Sequence, residues 1–311
     1  MQPAREVRHT PVLLPEALDS LDIRSGGAYI DCTVGEGGHA LAVLDEPAKD
    51  TRLLGIDLDR DALETARWRL EGHGGRAVLA EGSFGDLREL ATSNGFVPAD
   101  GVLLDLGVSS LQLETAQRGF SFSRSGRLDM RFGASQQTTA HDLVNGETEQ
   151  RLATLIYKYG EERKSRRVAR AIVAARPIET TIELAEVVSS AVGRGRRTGV
   201  HPATRTFQAI RIAVNEELQN LECGLAQAVE VLGPKGRLVV ISYHSLEDRI
   251  VKDFMRTQER ACICPPDAPA CVCGHVATVR LLTRRIVRPS DEEIETNRRS
   301  RSARMRVAER L

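Results

Sequence analysis

The sequence predicts an α/β fold in which a doubly wound, parallel sheet is interrupted by a helical insertion. Three observations predict it. Strand-like and helix-like segments alternate through the first 110 residues, as in parallel sheets with helices on both faces. Residues 114–203 then contain no convincing buried strand and read as a polar loop with several helices. A β run over residues 237–243 follows, so the insertion lies between the fourth and fifth strands of one sheet.

The elements follow in order along the chain. The first four strands are expected at residues 29–34, 52–58, 76–80 and 101–106. The first two helices are expected at residues 39–45 and 61–70. Helices of the insertion are expected at residues 148–159, 162–176 and 182–192, and one long amphipathic helix at residues 206–232. The charged segment from about residue 290 is expected to be partly disordered, or ordered only by packing on the core. The predicted sheet domain therefore comprises residues 1–113 and 204–311, and the insertion residues 114–203.

Composition and charge limit the classes of protein that fit. The chain is 41% hydrophobic and 28% charged, which is ordinary for a globular protein. No run approaches the roughly 18 uncharged apolar residues of a membrane span. The N-terminus has no apolar signal core, so we expect a cytoplasmic protein without a membrane partner. Residues 1–110 hold 10 basic and 19 acidic side chains, whereas residues 111–311 hold 33 and 24, and this basic second half suggests a polyanionic partner.

A glycine-rich turn follows the first strand. The run Tyr29-Ile-Asp-Cys-Thr-Val-Gly-Glu-Gly-Gly-His39 places three glycines in four positions, and Asp57 closes the next β run. Glycine lets the backbone turn sharply off a strand and approach a ligand closely. A carboxylate at the end of the second strand can accept hydrogen bonds from two ribose hydroxyls. The pattern predicts a nucleoside-bearing cofactor at the carboxyl edge of the sheet.

Two classes of cofactor fit this turn, a dinucleotide such as NAD and the methyl donor S-adenosylmethionine. Glu36 lies within the turn and counts against a pyrophosphate, because dinucleotide sites keep negative charge away from the helix N-terminus. The run Leu-Gly-Pro-Lys-Gly-Arg-Leu at residues 232–238 is typical of the turn before the fifth strand of methyltransferase sheets. These residues favour the methyl donor and leave an NAD-dependent oxidoreductase as an alternative.

Eight blocks in one order resemble a single family, the bacterial S-adenosylmethionine-dependent methyltransferases that modify cytosine N4 in 16S ribosomal RNA of the small subunit. The blocks are the glycine turn and residues 9–13, 103–110, 118–122, 128–131, 159–162, 201–208 and 241–249. The resemblance extends from about residue 9 to the C-terminus. It implies a seven-stranded methyltransferase-type (Rossmann-like) sheet with a helical insertion that recognises RNA.

The resemblance also implies a set of cofactor-binding residues. They are Gly37, Gly38 and His39 at the methionine end, Asp57 at the ribose, Phe84 against the adenine, and Asp105 and Gln112 near the reacting groups. Some have plain alternatives, because Phe84 could simply pack in the core and His39 could simply begin a helix. Asp105 lies in an apolar strand, where an uncompensated carboxylate is costly, and this favours a functional role.

Methylation of an exocyclic amine requires acceptors for the amine protons. DNA amino-methyltransferases place Ser/Asp-Pro-Pro-Tyr/Phe after the fourth strand, whereas this chain has Asp105-Leu-Gly-Val-Ser109. We therefore expect Asp105, with carbonyls or hydroxyls of the following loop, to be the catalytic acceptor. His244 after the fifth strand is the second catalytic candidate, and it could equally cap the helix that Ser245 begins.

Basic residues of the insertion are candidates for RNA binding, because residues 161–211 contain 11 basic and 5 acidic side chains. Four share one helical face: Arg163, Arg166, Arg167 and Arg170. Three more form a basic loop: Arg194, Arg196 and Arg197. A solvated face without a partner is the alternative. A non-catalytic RNA-binding ribosome assembly factor that kept the donor pocket is a further candidate function.

Four cysteines lie close together in the sequence. They form two Cys-x-Cys pairs, Cys262 with Cys264 and Cys271 with Cys273. Their number suggests metal ligands, but the spacing within each pair is shorter than that of usual zinc sites. The sequence favours reduced structural thiols, so no metal site is assigned from it.

Overall fold

The computed structural model describes residues 10–193, 201–265, 268 and 270–311. They divide into two compact units, one of residues up to Gly107 together with Leu218–Leu311 and the other Val108–Glu217. The second unit begins earlier and ends later than the predicted insertion, because residues outside 114–203 belong to its core. These residues include Val108, Leu113, Phe207 and Ile210.

The first unit contains a seven-stranded sheet. Its strands are β1 (Ala28–Asp31), β2 (Arg52–Asp57), β3 (Ala77–Glu81), β4 (Ala99–Asp105), β5 (Leu232–Ser242), β6 (Val279–Leu281) and β7 (Arg304–Arg310). The strand order is β3-β2-β1-β4-β5-β7-β6. Strands β1 to β5 are parallel, and β7 is antiparallel to both of its neighbours.

Helices flank the sheet and form the second unit. The sheet unit has α1 (Leu14–Leu21), α2 (Gly38–Asp45), α3 (Arg60–Arg69), α4 (Leu87–Ser93), α11 (Glu217–Val231), α12 (Ser245–Glu259) and α13 (Asp291–Thr296). The helical unit has α5 (Ser110–Glu114), α6 (Ala140–Gly146), α7 (Glu149–Gly160), α8 (Ser165–Ala174), α9 (Thr181–Val192) and α10 (Thr204–Asn215). Within the described ranges, no helix is both long enough and apolar enough to cross a bilayer.

Side chains of the strands alternate between two cores, one on each face of the sheet. Ile30 and its neighbours on one face pack with apolar residues of α4, α11 and α12. Tyr29 and its neighbours on the other face pack with residues of α1, α2 and α3. Each strand residue points opposite to the next, so a strand buried on both faces is apolar throughout. The predicted doubly wound sheet is confirmed.

The strand order places the topological switch point of the sheet at the carboxyl ends of β1 and β4. These strands are neighbours, but the chain continues from β1 to β2 on one side and from β4 to β5 on the other. Loops that follow two such strands diverge, and ligands of open α/β sheets bind in the gap between them. The glycine turn follows β1, and Asp105 ends β4.

One helix differs from the sequence-based expectation, whereas the C-terminal segment follows the expected alternative of ordering by packing on the core. The long helix expected at residues 206–232 is two helices, because Glu216 between them adopts a left-handed backbone with φ of 50°. The C-terminal segment is ordered through β7, whose Met305 and Val307 join one core. Two arginines of this segment, Arg306 and Arg304, also form ion pairs with Asp248 at 2.7 and 3.2 Å.

Candidate active site

The glycine turn is shaped by its neighbours. Gly37 has a left-handed backbone with φ of 81° and precedes α2. A Cβ added there would lie 3.3 Å from Ala66, and one added at Gly38 would lie 2.5 Å from Cγ of Pro11. The turn therefore excludes side chains at both positions, and it leaves bare backbone at the carboxyl end of β1.

Asp57 at the end of β2 is tied to the glycine turn. The Gly35 N–H donates to Oδ2 of Asp57 at 2.8 Å, and the Asp59 N–H donates to Oδ1 at 2.9 Å. Burial raises the pKa of Asp57 to about 6 despite these two donors. Each carboxylate oxygen has two lone pairs, so each can still accept a hydrogen bond from a hydroxyl group.

Asp105 at the end of β4 faces two aromatic side chains. The Tyr243 hydroxyl donates to Oδ1 at 2.8 Å, and Nδ1 of His39 lies 3.7 Å from Oδ2. Burial raises the pKa of Asp105 to about 7, with a smaller contribution from the negative charge of Glu247 and an opposing one from the Tyr243 hydrogen bond. Its side chain is still 16% exposed, so a ligand can reach it.

His39 lies in the first turn of α2 and is buried. Its Nε2 is 3.1 Å from the carbonyl oxygen of Val12. Because a carbonyl only accepts hydrogen bonds, Nε2 must carry the proton, and Nδ1 of the neutral ring is left facing Asp105. Burial lowers the pKa of His39, which favours this neutral form. Both suggested roles, at the donor pocket and at the helix start, fit its position.

Asp31 and Tyr243 are two site residues that the sequence analysis did not assign. Asp31 ends β1 and is buried, and burial raises its pKa to about 6 while the charges of Asp105 and Asp57 act in the same direction. Tyr243 follows β5, the parallel neighbour of β4, and burial raises its pKa well above the usual range. A carboxylate ending an apolar strand was the available signal for Asp31. Finding Tyr243 required the pairing of β4 with β5.

The other predicted site residues occupy varied positions. Phe84 follows β3 and is partly buried against the core, next to Gly224 of α11. Gln112 belongs to the helical unit, where it accepts from the Ser109 N–H at 3.0 Å in a capping box. His244 is the N-cap of α12, and its Nδ1 accepts from the Glu247 N–H at 3.3 Å.

The predicted RNA-binding arginines divide between described and undescribed residues. Arg163 lies two residues before the start of α8, and the other three lie on that helix. All four are exposed: Arg163, Arg166, Arg167 and Arg170. Arg170 lies 3.6 Å from Oε1 of Glu149. The opposite face of α8 is buried through Val168 and Ile172. The remaining candidates, together with His9 of the first block, lie outside the described residues: Arg194, Arg196 and Arg197.

Comparison with known proteins decides the family. Residues 6–311 match the MraW methylase family. The chain belongs to that family. A Thermomicrobium roseum protein named ribosomal RNA small subunit methyltransferase H is 54% identical over 306 residues, covering 97% of this chain and 94% of the relative. A Dehalococcoides mccartyi protein of the same name is 51% identical over 306 residues, covering 98% of this chain and 87% of the relative.

Membership of the MraW methylase family confirms the predicted family, its methyltransferase class and the S-adenosylmethionine cofactor. It disfavours the NAD-dependent alternative. Among solved structures, a putative rRNA-methylase from Clostridium thermocellum aligns with a TM-score of 0.46 at 10% identity, covering 97% of this chain and all of that chain. Likeness at that level is too remote to support an inference about activity.

Proposed function

We propose that the protein transfers a methyl group from S-adenosylmethionine to the exocyclic N4 of a cytosine in 16S ribosomal RNA of the small subunit. The observation that carries this proposal is the carboxyl group of Asp105, held beside the glycine turn in a member of a methylase family. The names of the curated relatives support the substrate class. With this substrate, we also propose a cytoplasmic location for the protein.

The charge of the site fits a cationic donor. Asp31, Asp57 and Asp105 end three neighbouring strands, and burial raises the pKa of each. A positive charge among them would restore their ionised forms, because an opposite charge nearby lowers a carboxyl pKa. A pyrophosphate in the same place would be repelled. The site therefore suits the sulfonium and ammonium groups of S-adenosylmethionine better than a dinucleotide.

The residues that would hold the donor follow from their positions. Backbone at Gly37 and Gly38, with His39, would meet the methionine end, and Asp57 would accept from the ribose hydroxyls. Phe84 would lie against the adenine, and Gln112 stays a predicted donor contact. When bound, S-adenosylmethionine supplies a methyl group on a positively charged sulfur.

Asp105 is the proposed proton acceptor. The cytosine amine loses one proton when its nitrogen gains a methyl group, and the carboxylate of Asp105, which the positive charge of the donor would keep ionised, can take it. Tyr243 orients this carboxylate through its hydroxyl. Nδ1 of His39 lies 3.7 Å from Oδ2 on the other side of the carboxyl, and its ring stays neutral because burial lowers its pKa. The target base must be unpaired or flipped out to reach these groups.

His244 remains the second candidate for this chemistry. Its cap interaction occupies the Nδ1 lone pair, and Nε2, 3.1 Å from Oε1 of Glu247, carries the proton of the neutral ring, so His244 can take a further proton only when the cap opens. A His244→Asn variant retains a capping side chain without an imidazole. If His244 takes the proton, this variant loses turnover; if it only caps α12, turnover persists.

Labelled methyl transfer tests the proposed function. The assay uses isotopically labelled S-adenosylmethionine and small subunits from a strain that lacks the enzyme. We expect the label in N4-methylcytidine after digestion of the RNA to nucleosides. Label in another nucleoside would overturn the proposed acceptor, and no transfer with tight small-subunit binding would favour the non-catalytic assembly factor.

We also propose that the helical unit is the RNA-recognition domain, with the α8 arginines contacting phosphates. Each phosphate contact to a single strand contributes about 0.7 to the slope of log affinity against log salt. The double variant Arg166→Ala/Arg167→Ala should therefore reduce that slope by about 1.4. Arg60→Ala/Arg67→Ala removes the same charge from exposed positions on α3 and should leave the slope unchanged. Equal slopes for both double variants would contradict this placement.

A further inference from the structure

The two Cys-x-Cys pairs form one cluster in the structure. The Sγ atom of Cys262 lies 3.4 Å from that of Cys271 and 3.7 Å from that of Cys273, and the last two are 3.6 Å apart. The Sγ atom of Cys264 completes the group, since all four lie within 4.8 Å of one another. The short spacing within each pair is therefore no obstacle, because the pairs supply two ligands each to one point.

These distances fit a tetrahedral metal site. A zinc–sulfur bond of about 2.3 Å implies neighbouring sulfur atoms about 3.8 Å apart in a tetrahedron. A disulfide would bring two sulfur atoms to about 2.05 Å. None of the three measured separations approaches that value, and all four cysteines are free. The sulfur atoms are thus spaced as ligands around a shared centre.

Packing does not explain the cluster. Structural free thiols are typically among the most buried side chains of a protein. Here Cys262 and Cys271 are exposed, and Cys264 and Cys273 are only half-buried. The residue between the two cysteines of each pair is exposed, Ile263 by 45% and Val272 by 87%. The segment therefore has little apolar core of its own to hold four thiols together.

Backbone groups around the cluster favour thiolates. The Cys264 N–H donates to Sγ of Cys262 at 3.4 Å, and the Val272 N–H donates to Sγ of Cys264 at 3.5 Å. Hydrogen bonds to the charged form stabilise it, and the thiolate is the form that binds metal.

We propose that Cys262, Cys264, Cys271 and Cys273 bind one structural zinc ion. Four sulfur ligands leave no position for substrate, as expected of a structural site. Binding converts four S–H groups to thiolates and releases up to four protons to solvent, with no change of oxidation state. The inference is independent of methyl transfer, since the cluster lies outside the residues assigned to the donor or the amine.

A metal ion bound at the cluster would stabilise the segment that connects α12 to β6. His275 beyond the cluster places Nε2 3.0 Å from the carbonyl oxygen of Thr257 on α12, and the Thr278 N–H donates to the Gln258 carbonyl at 2.8 Å. The described residues between these contacts include exposed apolar side chains, Ile263, Val272 and Val276. Metal binding supplies folding free energy to segments of this kind.

Elemental analysis tests the proposal on the full-length protein purified without chelator. We expect about one zinc per chain. The double variant Cys262→Ser/Cys264→Ser should lower the zinc content at least about tenfold. Cys223→Ser removes an exposed thiol of α11 outside the cluster and should retain the metal. A wild-type zinc content below about a tenth of an equivalent per chain would contradict the proposed site. Bound iron in place of zinc would contradict the choice of metal.

Cobalt substitution keeps the test decisive if the double variant fails to fold. Wild-type and Cys223→Ser protein, stripped of metal and titrated with Co²⁺, should both develop the intense visible bands of tetrahedral cobalt with thiolate charge transfer. Saturation is expected at about one equivalent, with release of protons to a weak buffer. Octahedral, nearly colourless cobalt, or two disulfides by mass spectrometry under reducing purification, would refute the assignment.

Discussion

Replacing Asp105 with asparagine is expected to abolish methyl transfer and to stabilise the ligand-free protein. Burial raises the pKa of this carboxyl from 3.8 to about 7. At pH values between these two pKa values, Asp105 is protonated in the folded protein and ionised in the unfolded chain. The free energy of unfolding contributed by Asp105 therefore falls as pH rises from about 4 to about 7. Asparagine keeps the shape and can still accept from Tyr243, but it carries no charge.

The magnitude follows from the shift. One pKa unit corresponds to about 1.36 kcal/mol, so ionised Asp105 costs at most about 4 kcal/mol at a pH of about 8.5. At a pH of about 5 the cost is less than about 2 kcal/mol, because the folded carboxyl has regained its proton. The stability advantage of the variant should therefore grow by about 2 kcal/mol between these conditions.

Urea unfolding at the two pH values, together with the methyl-transfer assay, measures both effects. Asp50→Asn is the matched control, because Asp50 is exposed and its replacement should change stability by less than about 0.5 kcal/mol. A variant no more stable than the wild type at the higher pH would refute the assigned burial. Wild-type turnover by Asp105→Asn would remove Asp105 from the mechanism.

Two further predictions concern the same site. Gly37→Ala should weaken donor binding about tenfold or more, since its Cβ would lie 3.3 Å from Ala66. The control Gly26→Ala, at a φ of 74° with no neighbour near the added Cβ, should lose only stability. Equal donor affinities by calorimetry would contradict this. Tyr243→Phe removes a hydrogen bond that lowers the Asp105 pKa, and should shift the rising limb of the pH–rate profile upward by about one to two units. Tyr157→Phe, at an exposed position, should not shift it.

The sheet, the glycine turn and the carboxylates at the sheet edge were predictable from sequence because their determinants are local. An apolar run buried on both faces marks each parallel strand, and glycines mark the turn after β1. The carboxylates at Asp57 and Asp105 stand where such strands end. Parallel strands bring their carboxyl ends to one edge, so chain order alone places these groups near one another.

The remainder depended on contacts between distant parts of the chain. Charge made β7 resemble a tail, but its arginines pair with Asp248 of α12 and its apolar residues enter the core. The local sequence does not predict the helix break at Glu216, because a left-handed backbone is uncommon for glutamate. The spacing of the four cysteines argued against a metal until the fold brought the two pairs together.

A crystal structure with bound S-adenosylmethionine tests the central claim most directly. We expect the ribose hydroxyls within hydrogen-bonding distance of Asp57, and the methionine end against the backbone of Gly37 and Gly38. The methyl group should face the carboxyl of Asp105. A donor bound elsewhere on the protein, or a crevice at β1 and β4 that stays closed to saturating donor, would contradict it.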